Sequence, residues 1–374
     1  MTLRFVPPPP EKILLIRPSA LGDVCRSVPV LARLKRRWPE ARIDWLVQEE
    51  FAPAVAAHPD LGAVVPFPRR RLRGWWRRPR AARETVGFLG SLRAGGYDVA
   101  IDCQGLLRSG IFARATGARE RVGFAAAREL GWLGLNRRVD VPDDAHAVER
   151  MMALVDGWLE RWHSGAKSEE SDGAAPDMRL YVRDEDRTAL EPSLASARGR
   201  YALVAPTSRW PGKRWPAERF ALLCAHMLNE GMVERIAVVG AGSERDQCGP
   251  LLELAAREER IVDLVGRTSV GGLMAAVEGS GLVIANDSAA LHMAVGFDRP
   301  VVALFGPTRV DRVGPWRREA DVIQHIETGE RMDHKSEAAG RRMMERISLE
   351  EVLEKTRTAL RRAGERIPGE GANV

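Results

Sequence analysis

Residues 12–23 read Lys12-Ile13-Leu14-Leu15-Ile16-Arg17-Pro18-Ser19-Ala20-Leu21-Gly22-Asp23. The short apolar run up to Arg17 predicts a strand, and Pro18 to Gly22 turns the chain into an amphipathic helix from about Asp23 to Arg37, ended near Pro39. A second strand follows over Ile43 to Val47. Strand, helix, strand with short turns is the pattern of a parallel sheet. A further strand, Tyr97 to Asp102, carries Asp102, Cys103, Gln104 and Gly105 at its carboxyl end.

Composition changes after Trp162: residues 163–177 are rich in Ser, Gly, Ala and acids without periodicity, which reads as a linker. The α/β pattern then restarts. Strands are expected over Tyr201 to Pro206, Ile236 to Val239, Leu282 to Ala285 and Val301 to Phe305. Helices are expected over Pro216 to Leu228, around Leu273 to Val277 and over Ser288 to Gly296. The predicted organisation is a first domain over 1–162, the linker, a second domain over 178–325, and a helical segment over 326–374 packing back on the first domain. In that segment Ser348 with Glu351 reads as a capping box and Ile347 with Val352 as a hydrophobic staple, opening a helix to about Arg362. Two doubly wound units bind ligands beyond the carboxyl ends of their strands, so a cleft between them is the expected site.

The chain has 374 residues, 45% of them hydrophobic and 29% charged, enough to bury two cores. Its longest stretches without Asp, Glu, Lys or Arg are ten residues, as from Phe220 to Asn229. A spanning helix needs about 20, so no transmembrane helix is expected. The N-terminus lacks the apolar core of a signal peptide. Cys25, Cys103, Cys224 and Cys248 form no C-x-x-C pair, which fits a reducing cytoplasm better than a disulfide framework or a zinc site. Net charge is +6, yet residues 66–83 alone contribute +8, leaving −2 for the rest. That run holds Arg69, Arg70, Arg71, Arg73, Arg77, Arg78, Arg80 and Arg83, with Trp75 and Trp76 inside it. Charge focused in this way implies an anionic partner at one place.

Gly240-Ala241-Gly242 follows a strand, but Arg245 stands where a dinucleotide-binding fingerprint needs its third glycine, so a tight turn suffices to explain it. There is no P-loop, no H-E-x-x-H and no Cys/His cluster to ligate a metal. Three stretches remain. Asn286-Asp287-Ser288-Ala289-Ala290-Leu291-His292 would open a helix after a strand, aiming N–H groups at a phosphate; taken alone, a capping Asp287 or Ser288 and a core His292 is the commoner reading. Thr207-Ser208 with Lys213 would suit a diphosphate, or form a solvated loop. Asp23 reads as a general base at a strand end or as a helix cap.

Together these stretches resemble glycosyltransferase family 9, the ADP-heptose:lipopolysaccharide heptosyltransferases. Leu14 to Val24 is similar to the family's opening. Ile101-Asp102-Cys103-Gln104-Gly105-Leu106, Ala127-Arg128-Glu129, His146-Ala147-Val148-Glu149-Arg150, Lys213-Arg214-Trp215-Pro216 and Phe305-Gly306-Pro307-Thr308 resemble its heptosyltransferase I branch. The resemblance implies a GT-B fold of two Rossmann-like domains facing each other across a cleft. It implies an inverting, metal-independent transfer of heptose from ADP-heptose, a substrate rather than a cofactor, to a Kdo sugar of the lipopolysaccharide inner core. It makes Asp23 the catalytic base and Lys213 a catalytic cation at the donor diphosphate. Thr207, Ser208, Ser288, Ala289 and His292 fall around the diphosphate, Glu244 near the ribose and Asp287 near the donor sugar. Ser19, Gly22, Gln104, Arg69, Arg70, Arg73 and Arg128 fall on the acceptor side, facing an anionic Kdo-lipid A type glycolipid at the cytoplasmic surface of the inner membrane. Where the family has Thr-Gly or Ser-Gly, this chain has Ser288-Ala289, a methyl that helical backbone tolerates and a positive φ does not.

A related glycosyltransferase with another nucleotide-sugar or acceptor would share most of these features. A nucleic-acid-binding protein acting through the Arg/Trp loop 66–83 is the rival from a different class. No nucleic acid is expected as partner, because the charge sits in one short loop and no recognition motif accompanies it.

Overall fold

The short β-branched apolar runs of the sequence become strands with their neighbours in parallel, because helical crossovers cover both sheet faces and favour strands buried on both sides. A computed structural model describes residues 8–160, 175–333 and 335–365. The chain divides into two compact units, 1–181 and 182–374.

The first unit holds β1 (Lys12–Ile16), β2 (Arg42–Gln48), β3 (Ala63–Phe67), β4 (Val99–Asp102), β5 (Glu120–Phe124) and β6 (Arg137–Val139). Their order across the sheet is β3-β2-β1-β4-β5-β6, every pair parallel. The second unit holds β7 (Tyr201–Ala205), β8 (Arg235–Val238), β9 (Ile261–Asp263), β10 (Leu282–Asn286), β11 (Val301–Phe305) and β12 (Val322–Gln324). Their order is β12-β11-β10-β7-β8-β9, again all parallel. Both are doubly wound sheets of one topology, with the strand order reversing between β1 and β4 and between β7 and β10. The Asp23 helix starts two residues early, at Leu21–Arg37.

The expected linker 163–177 lies outside the described residues up to 174, and 175–177 carry no regular structure. The junction falls beyond 177 because Tyr181 is held by the first unit, its ring edge-to-face with His58 at 4.9 Å. The C-terminal segment departs from expectation. Its helices Glu337–Arg346 and Leu349–Glu365 belong to the second unit, with Met344, Ile347, Val352, Leu353 and Ala359 buried in that unit's core beside the helix Ala217–Asn229. Burying this apolar stripe is what fixes the segment there. The capping box is half formed: Ser348 Oγ accepts from the Glu351 N–H at 3.1 Å, while the Glu351 carboxylate meets His325 at 2.8 Å.

One contact positions the loop after β5. The helix Leu107–Thr116 lies against the turn Gly131–Gly134 so closely that a Cβ at Gly110 would stand 2.1 Å from the Gly131 carbonyl oxygen, and one at Gly134 1.9 Å from that of Gly110. Gly110→Ala should therefore cost about 1–3 kcal/mol, read as a lowered calorimetric transition of the first unit. An unchanged transition would show that this contact does not constrain the fold.

Candidate active site

In a parallel sheet all carboxyl ends lie along one edge, and the crevice opens where the strand order reverses. In the first unit that place is the end of β1 and β4. The backbone N–H of Ser19 donates to Gln104 Oε1 at 3.3 Å, bringing the two loops together. Arg17 donates to the Cys103 carbonyl. Asp23 sits in the first turn of the helix Leu21–Arg37, one residue after Gly22, and accepts from the Ala20 N–H at 3.3 Å. Its carboxylate also pairs with Arg17 at 3.0 Å and with Arg26 one turn on. Burial would raise its pKa, but the Arg17 and Arg26 charges, the Arg26 hydrogen bond and the Ala20 N–H prevail and hold it well below the usual carboxylate range. Asp23 is thus both the residue that engages the N–H of its helix's N-cap, Ala20, and an ionised carboxylate at the crevice, 27% exposed.

The other first-unit candidates line the same edge. The Arg128 N–H donates to the Gly105 carbonyl at 2.9 Å, which sets the loop after β5 beside the loop after β4. Arg69 follows β3 and donates to Gln48 Oε1, at the end of β2, at 3.2 Å. Arg70 pairs with Glu50 at 2.8 Å, and Arg73 is exposed. The Arg69 group thus stands beyond the outer strands β2 and β3, apart from the Asp23–Gln104 cluster.

In the second unit the reversal lies between β7 and β10. Asn286, fully buried, ties their ends: its side chain donates to the Pro206 carbonyl at 2.6 Å and accepts from the Trp215 N–H at 3.2 Å. This holds the loop carrying Thr207, Ser208 and Lys213 against the start of the helix Ala289–Gly296. Lys213 Nζ meets Asp287 Oδ2 at 2.6 Å, the side chains only 14% and 12% exposed. Thr207, Ser208 and His292 are buried. Ser288 stands at the helix N-cap in extended conformation without a side-chain capping bond, and its Oγ is buried with no hydrogen-bond partner among the described residues. Such a hydroxyl is uncommon and leaves a donor and acceptor that a water, an ion or a ligand would satisfy. Ala289 is the first helical residue and has no positive φ, so its methyl is accommodated. Gly212 passes the helix Glu337–Arg346 with a would-be Gly340 Cβ 2.4 Å from its carbonyl oxygen, which fixes the Lys213 turn from behind. Glu244, after β8, accepts from the Ala241 N–H at 3.1 Å and closes its own turn. Arg245 pairs with Asp263 at 2.6 Å, an ion pair at the position of the absent third glycine.

Sequence reasoning missed Arg17, Arg26 and Asn286 as site residues. Arg17 and Asn286 lay inside the quoted stretches; the signal was a polar residue at, or directly after, the last position of an apolar strand.

The profile of glycosyltransferase family 9 (heptosyltransferase) matches residues 87–341. The chain belongs to this family. It is 30% identical over 319 residues to lipopolysaccharide heptosyltransferase 1 of Pseudomonas aeruginosa, covering 82% of each chain. It is 26% identical over 316 residues to lipopolysaccharide heptosyltransferase 1 of Escherichia coli K12, covering 84% of this chain and 93% of that one. Its fold is similar to that of the solved E. coli ADP-heptose heptosyltransferase II, with a TM-score of 0.73 at 23% identity over 94% of this chain and 99% of the other. The fold class is α/β of GT-B type, and the protein is a glycosyltransferase.

Asp102, buried at the end of β4, accepts from the N–H groups of Gln104 at 2.8 Å and Gly105 at 3.0 Å and from Ser109 Oγ at 2.8 Å, so it holds the turn that presents Gln104. Burial pushes it up to about 6 despite these bonds. A raised carboxyl pKa means that the folded state takes up the proton first, so this group adds stability as pH falls from about 7 towards 4. Asp102→Asn should abolish that gain, on the order of 1–3 kcal/mol, in urea melts at pH 7 and pH 5. An equal pH dependence in both proteins would remove Asp102 from this role.

Proposed function

We propose that this protein transfers heptose from ADP-heptose to a Kdo residue of the lipopolysaccharide inner core, with inversion and without a metal ion, at the cytoplasmic face of the inner membrane. The observation that carries it is the Lys213–Asp287 pair beside the unpartnered Ser288 hydroxyl at a helix start. The named relatives, lipopolysaccharide heptosyltransferases, support the substrate class.

A departing nucleoside diphosphate gains negative charge as the glycosidic bond breaks. Lys213 has three N–H donors and gives one to Asp287, leaving others for phosphate oxygens. The N–H groups at the start of the helix Ala289–Gly296 and the Ser288 hydroxyl add donors that need no reorganisation. Asp287, fixed by Lys213, serves the donor sugar in this reading. Thr207, Ser208 and His292 close the diphosphate end, and Glu244 lies towards the ribose. On the acceptor side, Asp23 receives the proton of the attacking hydroxyl, with Ser19, Gly22 and Gln104 around it. Arg69, Arg70, Arg73 and Arg128 hold the acceptor's phosphates and carboxylates.

Incubating the protein with ADP-heptose and a Kdo-bearing lipid A acceptor, with EDTA present, should give by mass spectrometry an acceptor heavier by one heptose. A mass gain that requires added metal would refute the metal-independent reading, and no gain with active donor hydrolysis would refute the acceptor. Lys213→Ala should weaken ADP binding and lower kcat, the loss of one donor to the leaving group being about 10²–10³ in rate; unchanged affinity and turnover would overturn its role. Asp23→Ala should lower kcat by a general-base factor of roughly 10²–10⁴ while ADP binding stays intact. Near-normal turnover with a folded protein would reassign the base.

A further inference from the structure

The run 66–83 does more than display charge. After β3 the chain forms the short helix Arg69–Leu72, the turn Trp75–Arg77 and the helix Pro79–Ala94, and between these and the helix Leu107–Thr116 lies a cavity of about 1010 Å³. That is at the upper end of the roughly 300–1,000 Å³ of small-molecule sites. Its floor is aromatic: the Phe67, Phe88 and Phe112 rings pack with centroids 4.9 to 5.6 Å apart. Its mouth is apolar and open to water. Among the described residues nine large hydrophobic side chains are exposed, and five of them, Trp75, Trp76, Val86, Leu107 and Ile111, line this one cavity. A patch gathered in this way marks an interaction site, whereas scattered apolar residues would not.

The rim has the opposite character. Arg69, Arg70, Arg73 and Arg108 all line it, against only two carboxylates, Glu50 and Glu129. Glu50 is engaged by Arg70 at 2.8 Å. Arg69, Arg73 and Arg108 make no ion pair among the described residues. The Arg108 guanidinium lies 5.4 Å from the centre of the Phe67 ring, so a cation stands directly over the apolar floor. Its pKa is lowered first by burial and then by the charge of Arg69, which together outweigh the opposing charge of Glu129.

An apolar hollow with an excess of cations at its lip matches one kind of molecule, an amphiphile with a hydrocarbon chain and an anionic head. We propose that this cavity takes a hydrocarbon chain of an anionic lipid, with Arg69, Arg73 and Arg108 holding the phosphate or carboxylate at its head. The proposal rests on the acceptor reading above only for the identity of that lipid, a glycolipid acceptor whose acyl chains would enter here. A single-stranded nucleic acid would find cations but no row of parallel stacking faces, because the two exposed indoles, Trp75 and Trp76, stand edge-to-face at 85° and the Phe rings lie at the bottom of the cavity.

Each methylene that leaves water contributes roughly fourfold in affinity when fully buried. In calorimetric titration below micelle-forming concentrations, decyl phosphate should therefore bind at least about tenfold tighter than butyl phosphate, even with the chain only partly buried. Val86→Asp and Ile111→Asp, both at the exposed mouth, should erase that difference; thermal melts confirm that each variant is folded. Equal affinities for the two phosphates, or a chain-length gain that survives both substitutions, would overturn the proposal. So would binding to phosphatidylglycerol vesicles without binding to monomeric decyl phosphate, which would make this face a bilayer-insertion surface. If decyl phosphate binds as expected and the transfer assay yields no heptosylated product, the lipid site stands and the acceptor reading falls.

Discussion

Where neighbouring parallel strands send their connections to opposite faces of a sheet, no crossover covers the gap between their carboxyl ends. Both halves of this chain are built on that constraint. In the first, Arg17 to Asp23 leaves β1 and Cys103 to Gly105 leaves β4; in the second, Pro206 to Lys213 leaves β7 and Asn286 to Ser288 leaves β10. The polar residues gather there because it is the one place on each sheet where backbone donors and charged side chains can face a ligand without breaking the buried ladder. The side chain of Asn286 shows how tightly the ends are held: it spends its carbonyl on Trp215 and its amide on Pro206, so the two loops cannot separate independently.

Electrostatics in the two crevices follow one plan with the signs exchanged. Asp23 is an anion set among Arg17 and Arg26; Lys213 is a cation set on Asp287. A half-buried charge left alone would neutralise itself or pull in water. Paired, each keeps its charge and its direction, which is what preorganisation requires. At the Arg69–Arg108 rim only Arg70 is paired, with Glu50 at 2.8 Å, while Arg69, Arg73 and Arg108 make no ion pair among the described residues, which leaves that rim with an excess of positive charge.

The strong apolar runs made the central strands legible: β1, β2, β4, β7, β8, β10 and β11 all lie where hydrophobic blocks end at turn residues. The remaining strands were not. β3 contains Pro66 and runs into the arginines, β6 is Arg-Arg-Val, and β9 and β12 are three residues each, too short and too polar for periodicity to register. The placement of the final helices depended on tertiary packing, since an amphipathic stripe does not name the core it will cover. For the site, the residue types at strand ends were readable, whereas the ties among them were not: Asn286 on Trp215, or Gln104 on Ser19, joins positions whose nearness only the sheet topology creates.

The clamp on Asp23 bears on how the proposed proton transfer can run. A carboxylate stabilised by two guanidiniums is a weak base, and it would be a poor choice for removing a proton from a free sugar hydroxyl. In a transfer through an oxocarbenium-like centre the hydroxyl becomes strongly acidic as its oxygen bonds to the cationic carbon, so the proton need leave only late. A weak, permanently ionised acceptor suffices for that, and it adds an oriented negative charge near the developing cation throughout. On that proposal Arg17 and Arg26 would keep Asp23 charged and aimed, and the chemistry would be driven from the leaving-group side, where Lys213 and the helix start would meet the diphosphate. On this account the cost of the reaction is met chiefly by stabilising charge as it leaves, and the base completes a bond whose formation has already made the proton mobile.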